Sequence, residues 1–168
     1  MLPPIIAGLI NYLEPRLAAD QAKPQFSIWD GEVPRWDAQG NAVGPTNVTG
    51  SWPAVSLRIQ EPGFQRNYTM ADAILDEGII IVQAWSTTRE VTEEVLDFII
   101  EQFEQQVSVY TDVDLGGPHN NPNYIIEMTV DTWWSGIDPE YRTSNSQYLY
   151  RGDVSFSTKI HGNATTAS

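Results

Sequence analysis

Most of the side chains in this sequence that could act as an acid, a base or a metal ligand are carboxylates. There are 22 Asp and Glu against nine Lys and Arg, two histidines (His119 and His161) and no cysteine. The lack of cysteine removes disulfides, thiol nucleophiles and Cys-ligated zinc. Two distant histidines are little material for a multi-histidine metal centre or a proton relay. Acid–base work by two carboxyls, as in a glycosidase, needs one of them held protonated by its surroundings while the other stays ionised. Nothing in the sequence marks one Asp–Glu pair for burial. Asp112-Val-Asp114 has the alternating acids of a calcium loop, but no Glu follows at the required distance. His119, in Gly-Gly-Pro-His-Asn-Asn, lies in a turn cluster without a metal partner. The GxGxxG, P-loop and GxSxG patterns are absent. The expectation is a protein that is not an enzyme and uses no cofactor and no metal.

The six tryptophans carry more signal: Trp29, Trp36, Trp52, Trp85, Trp133 and Trp134. Trp85 ends an apolar run and reads as core. Trp36, Trp133 and Trp134 fall in segments without periodicity, predicted as loops. Large aromatics on loops anchor partner surfaces and stack on sugar rings; the competing reading folds those loops over the domain's own core.

The net charge is −13. Between residues 72 and 114 eleven acids face one base, Arg89. Binding to a phosphate backbone works by displacing its counterions with Lys and Arg, so this chain is no nucleic-acid grip. A surface that nucleic acid slides past remains compatible with it, because like charge prevents sticking. The N-terminus MLPPIIAGLINYLEPRLAAD has no early base, and Asn11 and Glu14-Pro15 interrupt its apolar run, so it reads as neither signal peptide nor membrane span. The expectation is an intracellular place of synthesis and no membrane partner.

These residues sit on elements readable by periodicity. A chain of 168 residues with 41% apolar content is enough for one domain with a core. Ile5, Ile6, Leu9, Ile10, Leu13 and Leu17 predict a first helix at about 4–14, with Pro3 and Pro4 at its start and Pro15 near its end. FSIWD (26–30) is a short strand. Residues 31–53 form a long loop with four Gly and three Pro, a length that is usually functional or mobile. Val55, Leu57 and Ile59 alternate as a strand. Asp76-Glu77-Gly78 is read as a hairpin turn, with a short helix at 70–76 as the competing assignment. Ile79-Ile80-Ile81-Val82 should run mid-sheet. Thr87 with Glu90 fits a capping box. It opens an amphipathic helix whose stripe is Val91, Val95, Phe98, Ile99 and Phe103, and whose acids Glu93, Glu94, Asp97, Glu101 and Glu104 stay wet. DVDLGGPHNNPN (112–123) is a loop. NYIIEMTVD is a strand, followed by a 17-residue loop at 131–147. The whole is α+β: a mostly antiparallel sheet packed by an N-terminal helix and one long amphipathic helix, with long loops. It makes one domain, 1–168, with a core over 54–161 and a flexible tail at 162–168.

The last strand, QYLYRGDVSFSTKI (147–160), contains an Arg-Gly-Asp triplet. Adhesion triplets protrude on loops, whereas period-2 alternation here places Tyr148, Tyr150, Gly152, Val154, Phe156, Thr158 and Ile160 on one face. Arg151 and Asp153 then stand two apart on the other face, a spacing that predicts a weak, exposed interaction.

The succession of SWPAVSLRIQEP, a hairpin closing in GIIIVQAWS, a helix from Thr88 to Gln106 and the final strand YLYRGDVSFSTKI resembles the tail terminator, or tail-completion, proteins of tailed bacteriophages. The likeness covers roughly residues 50–161, and the N-terminal helix fits it. The resemblance implies a structural virion protein, assembled in the host cytoplasm. It would form a homo-oligomer, a hexameric ring at the head-proximal end of the tail, that ends tube polymerisation and joins the tail to the neck. Its partners would be the tail tube protein, neck or head-completion proteins and, in a contractile tail, the sheath; DNA would pass without specific binding. Trp36, Trp133, Trp134 and Tyr141 would be interface anchors, and Glu93, Glu94, Asp97, Glu101 and Glu104 an exposed or lumen-facing acidic surface. The alternatives are another neck or baseplate subunit, such as a head-completion stopper, and a carbohydrate-binding module. An amphipathic helix of this length counts against the last.

Overall fold

The computed structural model describes residues 5–31, 52–68, 73–105, 107–109, 124–142 and 148–163. In chain order the elements are α1 (Ile5–Ala19), β1 (Ser27–Asp30), β2 (Ala54–Ile59), β3 (Gln65–Tyr68), β4 (Ala73–Ser86), α2 (Arg89–Phe103), β5 (Val107–Val109), β6 (Tyr124–Arg142) and β7 (Tyr148–Asn163). They form an α+β fold with one seven-stranded sheet ordered β1-β2-β4-β7-β6-β5, and β3 pairs with the far half of β4. Only β1 and β2 run parallel; every other pair is antiparallel. β4 and β7 pair along 14 positions, from Ala73↔Asn163 to Ser86↔Tyr150.

Both helices lie on one face of this sheet. α2 packs over β4, β7 and β6, while α1 reaches β5 at one edge and β1 and β2 at the other. The shared core joins Leu9, Leu13 and Leu17 of α1 to Val95, Phe98, Ile99 and Phe103 of α2. Beneath them lie Leu57, Ile80, Val82, Ile126, Val154, Phe156 and Ile160 of the sheet. The predicted face of β7 is the buried one, with Gly152, Val154, Phe156, Thr158 and Ile160 all turned inward. Gly152 is the point of closest approach: a Cβ there would overlap Leu96 Cδ1 and lie 3.2 Å from Thr92 Cγ2.

Several local expectations are corrected. α1 does not end near Pro15 but runs through it to Ala19, because buried Leu17 holds the last turn onto the core. Arg16 Nη1 donates to the Tyr12 carbonyl at 2.8 Å. The cap of α2 is Thr88, not Thr87: Thr88 is extended (φ −134°, ψ 151°) and its hydroxyl accepts from the Val91 N–H. Asp76-Glu77-Gly78 is no turn but part of β4. Asp76 is fully buried, and Arg66 of β3 grips it through Nε at 2.8 Å and Nη2 at 2.9 Å. β3 and β4 pair antiparallel, with Tyr68 opposite Ile74; of the competing 70–76 helix, residues 73–76 are strand and 70–72 lie outside the described residues. Residues 131–142, expected as loop, extend β6, and residues 132–138 and Arg142 pair with β7. The outer side of β7 is not uniformly polar either: Leu149 is buried with Ala54 and Trp85, against Trp29 and Trp52, in a second small core. The last strand reaches Asn163, two residues into the expected tail. Residues 32–51 and 112–123, expected as loops, lie outside the described residues.

Candidate functional site

The residues singled out by sequence converge on the long β6–β7 ribbon and the wet side of α2. The ladder runs regularly from Tyr124↔Gly162 to Val130↔Phe156, then resumes at Thr132↔Ser155, so Asp131 is an extra residue in β6. Such a bulge shifts the alternation by one. Ile126, Met128 and Val130 face the helices before it; Trp133, Ser135 and Ile137 do so after it, opposite Val154, Gly152 and Tyr150.

Trp133 and Trp134 therefore stand on opposite faces. Trp133, 60% exposed, forms one wall of a groove of about 300 Å³ whose other lining is Glu93, Leu96, Asp97 and Ile100 of α2. Ile137, 54% exposed, lies further along the same face, in a more open depression of about 530 Å³ with Thr87, Thr88, Arg89, Glu90, Gly136 and Tyr150. Trp134, 46% exposed, lies across Gly136, where a Cβ would come within 2.7 Å of its Cζ2. The Arg151 guanidinium sits 5.1 Å from the centre of its ring.

That second face holds a network which the sequence reading understates. Asp138 is buried and accepts from Trp85 Nε1 at 2.7 Å; Arg151 Nη1 approaches its Oδ2 at 3.5 Å. Arg151 Nε faces Asp153 Oδ1 at 3.2 Å, and Gln83 Nε2 donates to the same oxygen at 3.2 Å. The Arg151–Asp153 pair is thus half-buried and tied to a buried carboxylate, not the weak exposed pair expected. Burial pushes the Asp153 carboxyl above its ordinary value of 3.8, against the pull of Arg151 and Gln83.

The five predicted acids divide by environment. Glu94, Asp97, Glu101 and Glu104 are exposed. Glu93 is half-exposed and held between Arg89 Nε at 2.9 Å and the Ser135 hydroxyl, which donates at 3.1 Å. Those two hydrogen bonds draw its carboxyl below the ordinary value. Tyr141 falls on β6 by its backbone, and Trp36 lies outside the described residues. Among the described residues no cluster of His, Cys, Asp and Glu could hold a metal ion, and no helix is long and apolar enough to cross a membrane. Ile137 and Asp138 escape the sequence reading because their segment reads as loop; strand alternation counted from Trp133 finds Ile137.

The outer edge of β6 completes the site. β5 pairs only with Tyr124, Ile125 and Ile126, so from Glu127 onward the edge of β6 away from β7 has no neighbouring strand among the described residues. An edge strand offers the N–H and C=O groups of alternate residues to another chain. The site is thus a strand edge carrying apolar side chains on both faces, beside an acidic helix. No protein-family model matches the chain, and no curated protein matches it in sequence.

Proposed function

We propose that this chain is a ring-forming tail terminator of a tailed bacteriophage. In this reading the ring caps the tail tube, stops its polymerisation and joins it to the neck. The observation that carries the proposal is the edge of β6, without a neighbouring strand among the described residues from Glu127 onward, with Trp133, Trp134 and Ile137 exposed around it. Three large apolar side chains on two faces of one ribbon suit a subunit gripped from both sides, as closure by rotation requires. Aromatic anchors in such positions supply most of an interface's affinity. The acids of α2 suit a wall that the DNA backbone passes without sticking. A sugar-binding platform would set its tryptophans side by side on one face, whereas these two oppose each other.

The test is particle mass by light scattering with negative-stain imaging, on the protein alone and mixed with tail tubes. A closed ring, or a monomer that becomes a ring only at tube ends, supports the proposal. A monomer that leaves tubes growing and uncapped overturns it.

A further inference from the structure

We infer that the groove between α2 and β6 is a docking site for an extended, basic segment of a partner protein. That segment would add to the β6 edge as a further strand. The inference rests on the reading of the ribbon as an assembly surface and goes on to name the chemistry of what it takes.

The geometry supplies both halves of such a site. β5 ends its pairing at Ile126, and a strand continuing along that line would lie beside residues 132–138. Its backbone would meet the outward N–H and C=O groups of β6. Every second side chain of the added strand would point toward α2, into the groove floored by Leu96 and Ile100 and walled by Trp133. That position wants an aliphatic side chain. The rim is acidic: Glu93 and Asp97 line the groove, Glu94 and Glu101 flank them on α2, and Asp131 stands exposed at the bulge. Side chains of the added strand that reach this rim want Lys or Arg.

Charge also decides against the β6 edge of a second copy as the occupant. Two β6 edges brought together would oppose their own acids, an arrangement that keeps edge strands apart.

The experiment uses the full chain and a dye-labelled Lys–Val peptide of repeating Val-Thr-Lys-Thr, which sets Val and Lys in turn on one strand face, read by fluorescence anisotropy at physiological salt. Three control peptides accompany it: a Lys–Gly peptide with Gly in place of Val, a Glu–Val peptide with Glu in place of Lys, and the Lys–Val peptide N-methylated at every second amide. The expected result is saturable binding of the Lys–Val peptide alone. Trp133→Ala and Asp97→Lys should each weaken it by about tenfold or more. Glu14→Lys, an equal change of charge on exposed α1, should leave it within about twofold. Trp133 and Asp97 are both exposed, so these variants keep the fold, checked by circular dichroism. Equal binding of the Lys–Gly peptide would make the effect purely electrostatic and overturn the inference. So would unchanged affinity in Trp133→Ala or undiminished binding of the methylated peptide. Self-association that Trp133→Ala abolishes, with no peptide bound, would give the groove to a second copy and overturn it equally. Ring formation is read separately from particle mass, so the two readings fail independently.

Discussion

Gly152, the centre of the Arg-Gly-Asp triplet, gives the sharpest test of the fold because its side of β7 is pressed against α2. In Gly152→Ala the new Cβ would overlap Leu96 Cδ1 and lie 3.2 Å from both Leu96 Cγ and Thr92 Cγ2. Neither neighbour yields freely. Leu96 is 2% exposed. The Thr92 hydroxyl is tied to Ser86 Oγ at 2.6 Å and to the Thr88 carbonyl at 3.1 Å. Overpacking of this kind costs about 1–3 kcal/mol, and the stiffer unfolded chain returns about 0.4–1 kcal/mol. The net expectation is a loss of roughly 1–2 kcal/mol, or about 2–8 °C in Tm for a domain of this size. Urea unfolding should show it as a lower midpoint at constant slope. Leu96→Ala alone should cost about 2–5 kcal/mol through the cavity it opens. In the double variant the methyl added by Gly152→Ala enters that space, so the two losses should fall short of additivity by about 1 kcal/mol. An unchanged midpoint in Gly152→Ala, with additive losses in the double variant, would refute the close helix–strand contact. A triplet on a protruding loop would give that null result.

Three further outcomes follow from single contacts. Arg66→Met strips the charged partner from buried Asp76 and should cost about 3 kcal/mol, with most of it restored when Asp76→Leu is added; thermal melts of the wild type and both variants decide it. Thr88→Ala should cost about 1 kcal/mol by removing the cap of α2, while Thr87→Ala should stay within about 0.5 kcal/mol; equal losses would return the cap to Thr87. Burial holds the Asp153 proton more tightly in the folded state than in the unfolded chain, so its contribution is greatest at low pH and is lost as pH rises from about 4 through the raised pKa. Wild-type stability minus that of Asp153→Asn should therefore decline with pH across that window in urea titrations, and a rise would contradict the burial.

What is legible in the sequence is what one face of one element encodes. The α2 stripe and the buried side of β7 follow from periods of 3.6 and 2, and both face the core as expected. The failures share a cause in contacts between distant segments. Asp76-Glu77-Gly78 has turn composition, yet Arg66 on the neighbouring strand neutralises the buried Asp and keeps β4 continuous. Leu149 looks misplaced on a polar face until Ala54, Trp85, Trp29 and Trp52 gather over it. β5 is three residues long, too short for any pattern. At the candidate site the aromatic residues and the acids are legible as types, but their placement is not, because residues 131–142 read as loop.

The bulge at Asp131 explains that last failure and also what the ribbon can do. A window of fixed period 2 across residues 124–142 mixes the two faces, so the apolar pattern vanishes although pairing with β7 continues. Were Asp131 paired in line with β7 instead of bulged, Trp134, Gly136 and Asp138 would turn toward α2, and Trp133, Ser135 and Ile137 would turn away. Asp138 would then lose Trp85 Nε1 and the approach of Arg151 and lie as a carboxylate against the acidic helix. Ser135 would no longer donate to Glu93. With the bulge, the buried carboxylate meets an indole N–H and a guanidinium, while Trp133 and Ile137 border α2. Bulging Asp131 out of the ladder therefore satisfies the charges on one face and leaves an apolar, acid-rimmed groove on the other.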